Sequence, residues 1–158
     1  MSGMEFLLYQ FRQRFQSVLF YGLCTLLTVC SSVNSQASEV QVFANSSVEL
    51  NSLSVAQIRR VFSMRQTAWP NGQAITVYVL TNQHPTHQIF STQVLAMFPY
   101  QLDRIWNKLV YSGLGEEPIK VKSEQEMLER VSQRPGAIGY TMQHISGDEI
   151  KIIKVLKE

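Results

Sequence analysis

Apolar residues recur along this chain with two spacings, one typical of strands and one typical of helices. Short apolar or β-branched runs predict strands over residues 40–44, 74–80, 119–121, 137–141 and 150–156. Between these runs, apolar residues repeat every three or four positions, which predicts helices. The clearest helical stripe combines Leu102, Ile105, Trp106, Leu109 and Val110. Strands that alternate with helices indicate an α/β fold.

Three helix starts carry local signals. Ser54 with Gln57 three residues later forms a capping box, and Ser123 with Glu126 repeats that pattern. Pro85 suits a first helical turn, because the N–H that proline lacks would have no partner there. We therefore predict helices that begin near these three positions.

The order of the elements predicts a mixed sheet with flanking helices. Residues 137–141 and 150–156 are separated by Ser146-Gly147-Asp148, a turn sequence that predicts a final antiparallel hairpin. The run over residues 74–80 is β-branched and apolar, so we expect this strand to lie centrally in the sheet.

The first residues differ from the rest of the chain. Arg12 and Arg14 precede an uncharged apolar stretch over residues 18–29. At 1.5 Å per residue this stretch covers about 18 Å, which is short of the roughly 30 Å hydrocarbon core of a membrane. It therefore predicts a cleaved signal peptide rather than a spanning helix.

Small residues follow the apolar stretch, and Ser35-Gln36-Ala37 predicts cleavage after Ala37. We place the signal peptide at residues 1–37 and one domain at residues 38–158, in the periplasm and with no membrane span after processing. Leu27-Thr28-Val29-Cys30 partly resembles a lipobox, so a lipoprotein anchored at Cys30 stays open as an alternative.

Composition and charge narrow the classes of function. The 158 residues are 45% apolar and 16% charged with a net charge of +2, which is typical of a globular domain and gives no basic footprint for nucleic acid. Cys24 and Cys30 both lie in the predicted signal peptide, so the remaining chain has no disulfide or thiolate nucleophile. Hydrolase motifs and phosphate-cradling glycine loops are absent from the sequence. We predict a non-enzymatic protein without cofactor or metal.

A candidate anion site follows the strand predicted at residues 74–80. His84, Thr86 and His87 lie where this strand leads into a helix, and first-turn N–H groups, a hydroxyl and a protonated imidazole would all favour an anion. The alternative is an N-capping His84 with a solvent-facing Thr86. His84 and His87 could also join His144 in a metal site, although no carboxylate stands at a telling spacing.

Two further segments could add donors for an anion. Ser46 and Ser47 follow the first strand and would offer hydroxyls at its carboxyl end, which is the usual ligand edge of an open α/β sheet. Arg134 precedes Pro135-Gly136 and could hold an oxyanion with two hydrogen bonds. The alternatives are an ordinary loop at Ser46 and Ser47 and an arginine that covers a helix C-terminus at Arg134.

Three stretches resemble a known family: SLSVAQIRRVFSMRQTAWPNGQAITVYVL, FSTQVLAMFPYQLDRIWNKLVYSGLG and RPGAIGY. They are similar to the short periplasmic phosphate-binding-protein-like family, relatives of the substrate-binding component of the phosphate ABC transporter. The resemblance covers about Val40 to Thr141 and implies one three-layer α/β lobe of the type II periplasmic-binding-protein kind. In full-length relatives two such lobes enclose phosphate. Their Ser-Gly-Thr aligns roughly with His84-Pro85-Thr86, where Thr86 matches.

The residues and the resemblance together give two hypotheses of function. The first is a periplasmic single-lobe protein that binds phosphate or another small oxyanion weakly, in phosphate uptake or sensing. The second is a non-enzymatic interaction module of an envelope or sensory complex, which has lost ligand binding and has a protein as its partner.

Overall fold

The computed structural model describes residues 39–156, and the predicted signal peptide and Cys30 lie outside them. Six strands occur in this part of the chain: β1 Gln41–Asn45, β2 Ser52–Ser54, β3 Thr76–Leu80, β4 Ile119–Val121, β5 Ala137–Thr141 and β6 Ile150–Leu156. Its helices are α1 Val55–Phe62, α2 Pro85–Ile89, α3 Pro99–Tyr111 and α4 Glu124–Gln133. A π-helical turn, Phe90–Val94, continues α2.

The strands form one sheet in the order β2-β6-β1-β5-β3-β4. β1 runs antiparallel to both of its neighbours, whereas the other pairs along the sheet are parallel. The predicted mixed sheet is therefore confirmed. β3 lies between β5 and β4, so this strand is inside the sheet, one place from its edge.

The predicted final hairpin is wrong. β1 lies between β5 and β6, with Phe43 opposite Gly139 on one side and Ile152 on the other. β5 and β6 consequently run parallel. Residues 142–149 therefore connect the C-terminal end of β5 to the N-terminal end of β6, at the opposite end of the strands. The turn at Gly147 is present, with φ of +118°, but it belongs to this crossover connection.

The sheet is covered on both faces, which gives three layers. On one face Gly139 and Phe43 face α4, where a Cβ on Gly139 would lie 2.7 Å from the sulfur of Met127. On the other face Tyr140 contacts Phe62 of α1 and Phe90 after α2. This three-layer α/β arrangement confirms the predicted fold class.

All three predicted helix starts are confirmed, but one of the two predicted capping boxes is incomplete. Ser54 and Gln57 form the reciprocal capping box of α1, and Pro85 is the first residue of α2. At α4 only half of the box forms: the Ser123 hydroxyl accepts from Glu126 N at 3.2 Å, but the Glu126 carboxylate accepts from Lys122 N at 2.9 Å. The Glu126 carboxylate thus binds the N–H one residue before the N-cap residue Ser123, whose backbone is extended with φ of −145°.

Both tryptophans lie in the core, and each indole N–H donates to a backbone carbonyl. Trp106 donates to Phe62 O at 2.9 Å and Trp69 to Gly136 O at 3.0 Å. Gly136 has φ of +76°, and a Cβ there would lie 2.3 Å from the carbonyl oxygen of Ala74. These contacts join β5 to the segment before β3.

The apolar stripe predicted for α3 is only partly buried. Leu102 and Trp106 are buried, whereas Val110 is 48% exposed. Tyr111 and Leu114, at and just after the end of the helix, are also exposed. The core therefore contacts only the first part of the stripe.

Candidate functional site

The polarity of the strands decides which predicted residues can meet. β3, β4 and β5 are parallel, and α2 and α4 begin at the edge where these strands end. We call this the carboxyl edge. Because β1 is antiparallel to β5, with Gln41 opposite Thr141, the residues after β1 lie at the other edge, which we call the amino edge.

Ser46, Ser47 and Arg134 lie at the amino edge, so they do not meet the histidines at the carboxyl edge. The Ser47 hydroxyl accepts hydrogen bonds from Gly136 N at 3.0 Å and Gln73 Nε2 at 3.3 Å. Ser46 is exposed, and its backbone N–H donates to Glu149 O. Ser47 therefore holds the turn before β5 in place.

The segment after β1 also caps a helix. Asn45 is buried, and its side-chain amide donates to Val131 O at 2.9 Å and Ser132 O at 2.8 Å near the end of α4. Arg134 is exposed and is the C-cap residue of that helix. The Asn45 side chain thus caps the C-terminus of α4, and Arg134 lies at this terminus through its backbone, whose N–H donates to Val131 O.

His84 and Thr86 lie together at the start of α2. Nδ1 of His84 accepts from Thr86 N at 3.3 Å, so His84 is the N-cap residue, as its alternative interpretation proposed. Thr86 is only 3% exposed, and it does not face solvent. Its hydroxyl donates to a carboxylate oxygen of Glu124 at 2.6 Å.

Glu124, the first residue of α4, accepts hydrogen bonds from several parts of the carboxyl edge. Besides Thr86, the carboxylate accepts from Thr141 Oγ1 at 2.5 Å and from Met142 N at 2.7 Å. Thr141 is fully buried, and Glu124 is 8% exposed. We call the hydroxyls of Thr86 and Thr141 and the amide of Met142 the Glu124 cradle.

The cradle keeps Glu124 charged. Burial raises the pKa of its carboxyl, but the hydrogen bonds from Thr141, Thr86 and Met142, with nearby His84, outweigh burial and lower this pKa below its usual value. Neither of the two ion pairs in residues 39–156, Lys120–Glu117 and Arg130–Glu126, includes Glu124. Hydrogen-bond donors rather than a direct cationic partner therefore stabilise the buried charge.

His87, the residue after Thr86 in α2, is fully buried. Its Nδ1 lies 2.5 Å from the hydroxyl of Tyr140, which itself accepts from Leu80 N at 2.9 Å. The tyrosine proton is thus available to Nδ1, which leaves the imidazole proton on Nε2, 3.5 Å from Ser91 Oγ. The ring of Phe90, at the start of the π-helical turn, stacks on Tyr140 at 3.8 Å.

Burial determines the protonation of this pair. Desolvation lowers the pKa of His87 to about 4, although Asp103 opposes the shift. Burial likewise raises the pKa of Tyr140 far above its usual value. His87 is therefore neutral near pH 7 and does not supply the cation expected for an anion site.

The sequence interpretation missed Glu124, Thr141 and Met142. An acidic residue in a first helical turn carried a weak signal, since a carboxylate is favoured at a helix N-terminus. Nothing local indicated that Thr86 and Thr141, which precede α4 and follow it, would converge on that residue. Among residues 39–156, no group of three or more His, Cys, Asp or Glu side chains could hold a metal ion.

Comparison with known proteins gives structural matches only. No family model matches the chain, and no curated protein gives a significant match. A protein described as a phosphate ABC transporter substrate-binding protein, with bound phosphate, from Clostridium perfringens matches with a TM-score of 0.59 and 15% identity over 73% of this chain. A phosphate transport receptor from Vibrio cholerae matches with a TM-score of 0.55 and 16% identity, also over 73%. The chain has the fold of a periplasmic-binding-protein lobe.

This chain spans less than half of these neighbours: 44% of the Clostridium protein and 45% of the Vibrio protein. PstS from Borrelia burgdorferi, with a TM-score of 0.53 and 12% identity, is covered over 46% of its length. The resemblance noted in the sequence is thus confirmed at the level of the fold. Within residues 39–156 the lobe has no helix long and apolar enough to cross a membrane.

Proposed function

We propose that this chain is a non-enzymatic interaction module that uses a binding-protein lobe as a scaffold and does not hold free phosphate. The observation that carries the proposal is the position of the Glu124 carboxylate, which takes up the donors of Thr86, Thr141 and Met142. Thr86 is also the residue that the resemblance aligns with the phosphate-binding motif. Its hydroxyl donates to a side chain of the same protein.

Electrostatics oppose a second anion at this place. Two unit charges about 4 Å apart interact by about 4 kcal/mol at the effective dielectric of a protein surface, and here the interaction would be repulsive. A hydrogen bond that replaces one to water contributes only about 0.5–1.5 kcal/mol, or about 1.5–3 kcal/mol when a partner is charged. One or two new bonds would do little more than cancel the repulsion from Glu124.

The remaining candidate donors do not change this balance. Ser47 and Arg134 lie at the amino edge, and His87 is neutral with its Nδ1 against the Tyr140 hydroxyl. A single lobe also leaves an anion in water on one side, so much of its hydration persists. We infer that phosphate binds no better than about millimolar, corresponding to about −4 kcal/mol.

The proposed cellular location of the module rests on the N-terminal sequence and on the structural neighbours. The apolar stretch at residues 18–29 and the small residues before Ser38 support export and cleavage. The structural neighbours are described as transporter binding proteins. We propose that the module works in the periplasm, with an envelope or sensory protein as its partner.

Calorimetric titration of the purified protein with inorganic phosphate tests the proposal. We expect no saturable heat below about millimolar phosphate, and no difference between the wild type and Thr86→Ala after correction for stability. Micromolar binding that Thr86→Ala abolishes would contradict the proposal and favour the phosphate-binding hypothesis. Chemical crosslinking in an envelope extract, followed by mass spectrometry, then identifies the protein that contacts the lobe.

A further inference from the structure

The Glu124 cradle has the construction of an anion receptor. Its three donors come from separate parts of the chain: Thr86 from the start of α2, Thr141 from the end of β5, and Met142 from the following connection. The two threonine residues are 3% and 0% exposed. They converge on a single carboxylate, and no described ion pair contributes to holding it.

Removal of the Glu124 carboxylate would leave the donors of the cradle without hydrogen-bond partners. A buried donor that loses its partner bears the cost of its own desolvation, because no water replaces the lost bond. The cradle therefore needs acceptor oxygens in the folded state, and the Glu124 carboxylate supplies them. The geometry itself does not require that these oxygens be covalently attached to the chain.

We propose that the Glu124 cradle is an oxyanion-binding site that the chain keeps closed with its own carboxylate. This inference rests on the proposed function, in which the intact protein does not hold free phosphate. Glu124 acts as an autoinhibitory ligand: a small external oxyanion binds only when this carboxylate is withdrawn or removed. The class of ligand is a small carboxylate, with inorganic phosphate as the tetrahedral counterpart to be compared.

Removal of the side chain gives a direct test. Glu124→Ala removes a fragment equivalent to acetate, so acetate restores both carboxylate oxygens in the vacated space. The melting temperature of the purified variant is measured against acetate concentration at constant ionic strength. We expect a saturable increase, with half-saturation at least about tenfold lower in acetate than any effect on the wild type. The same series with phosphate shows whether the cradle also takes a tetrahedral anion.

Two variants serve as controls. Glu129→Ala removes an exposed carboxylate from the same helix without opening the cradle, and we expect its melting temperature to be insensitive to acetate. Glu124→Gln keeps a side chain of the same size in the cradle, so we expect it to fold and to exclude acetate. If Glu124→Ala is unfolded in acetate-free buffer, circular dichroism during acetate addition reports whether folding returns.

The outcomes separate this inference from the proposed function. Saturable stabilisation of Glu124→Ala alone supports a closed oxyanion site. Equal shifts in all three variants, or no stabilisation and no refolding of Glu124→Ala up to molar acetate, would overturn it. Phosphate binding by the wild type would instead contradict the proposed function, whatever Glu124→Ala does.

Discussion

Acidification is expected to destabilise the fold through His87 before it affects the carboxylates. The folded protein holds His87 neutral, with a pKa of about 4 against an ordinary value of 6.5. As the pH falls below 6.5, the unfolded chain binds a proton at this position and the folded protein does not. The contribution of neutral His87 to stability is therefore fully present above about pH 6.5. It is lost as the pH falls from about 6.5 towards 4.

The size of the effect follows from the two pKa values. The interval between 6.5 and about 4, at about 1.4 kcal/mol per pH unit, amounts to about 3 kcal/mol. This is a large part of the about 5–15 kcal/mol that stabilises a typical domain. The structure supplies the reason: a proton on Nδ1 would face the Tyr140 hydroxyl, which already accepts from Leu80 N and would have to turn its own proton away.

Urea unfolding at a series of pH values measures this decline. We expect the free energy of unfolding of the wild type to fall by about 1 kcal/mol per pH unit around pH 5. His87→Asn keeps a polar atom near the position of Nδ1 but has no titrating group, so its slope should be clearly smaller. His144→Gln removes an exposed histidine and should retain the wild-type slope. The lowered pKa of Glu124 places its own loss of stability below its ordinary value of 4.5, mostly outside this range.

Equal slopes for the wild type and His87→Asn around pH 5 would refute the reasoning. That result would mean that the buried imidazole accepts a proton inside the folded protein, for example by rearrangement of the Tyr140 hydroxyl. If the slope disappears in His144→Gln, the assignment of the acid sensitivity to His87 is wrong.

Four other predictions use simpler measurements. Trp106→Ala should lower the free energy of unfolding by about 3–5 kcal/mol, and a loss below about 1 kcal/mol in urea would contradict its buried position. Gly136→Ala should cost at least about 2 kcal/mol, since a Cβ would clash with backbone, whereas Gly113→Ala, with positive φ but open space, should cost about 1 kcal/mol in the same assay. Asn45→Ala should cost about 1–3 kcal/mol and speed amide hydrogen exchange at the end of α4, and unchanged exchange there would argue against the cap. Intact mass of the exported protein should correspond to a chain starting at Ser38, and retention of the N-terminal methionine would contradict cleavage.

Local chemistry was sufficient to predict most elements of the fold. Ser54 and Gln57 satisfy backbone groups within one helical turn, and Pro85 needs only a position without a hydrogen-bond partner, so neighbouring residues determine both signals. The family resemblance and the alternation of strands and helices predicted the three-layer class, which the structural neighbours confirm.

The place of β1 could not be predicted in the same way. Residues 137–156 carry the apolar runs and the turn residues of a hairpin, and nothing in them shows that another strand pairs with both runs. Pairing of β1 with β5 and β6 depends on contacts between distant parts of the chain. The direction of β1 also explains the outcome at the site: Ser46 and Ser47 follow the carboxyl end of this strand, but that end lies at the amino edge of the sheet.

Glu124 illustrates a second limit of sequence reasoning. A carboxylate beside other charged residues in a helix usually lies on the solvated face, and Glu126 and Glu129 of the same helix do so. Glu124 differs only because two threonine hydroxyls and one amide, all remote in sequence, surround it. Such convergence is visible once the strand order is known.

The insertion of β1 between β5 and β6 also has a consequence for the order in which the chain can fold. β1 alone connects β6 and β2 to the three-stranded remainder of the sheet. During synthesis from the N-terminus, both backbone edges of β1 stay unpaired until β5 and β6 have emerged. Contacts of such long sequence separation are entropically costly to close, and they slow folding from microseconds towards milliseconds or seconds. Residues 39–156 are therefore expected to stay accessible to chaperones until β5 and β6 have both been made.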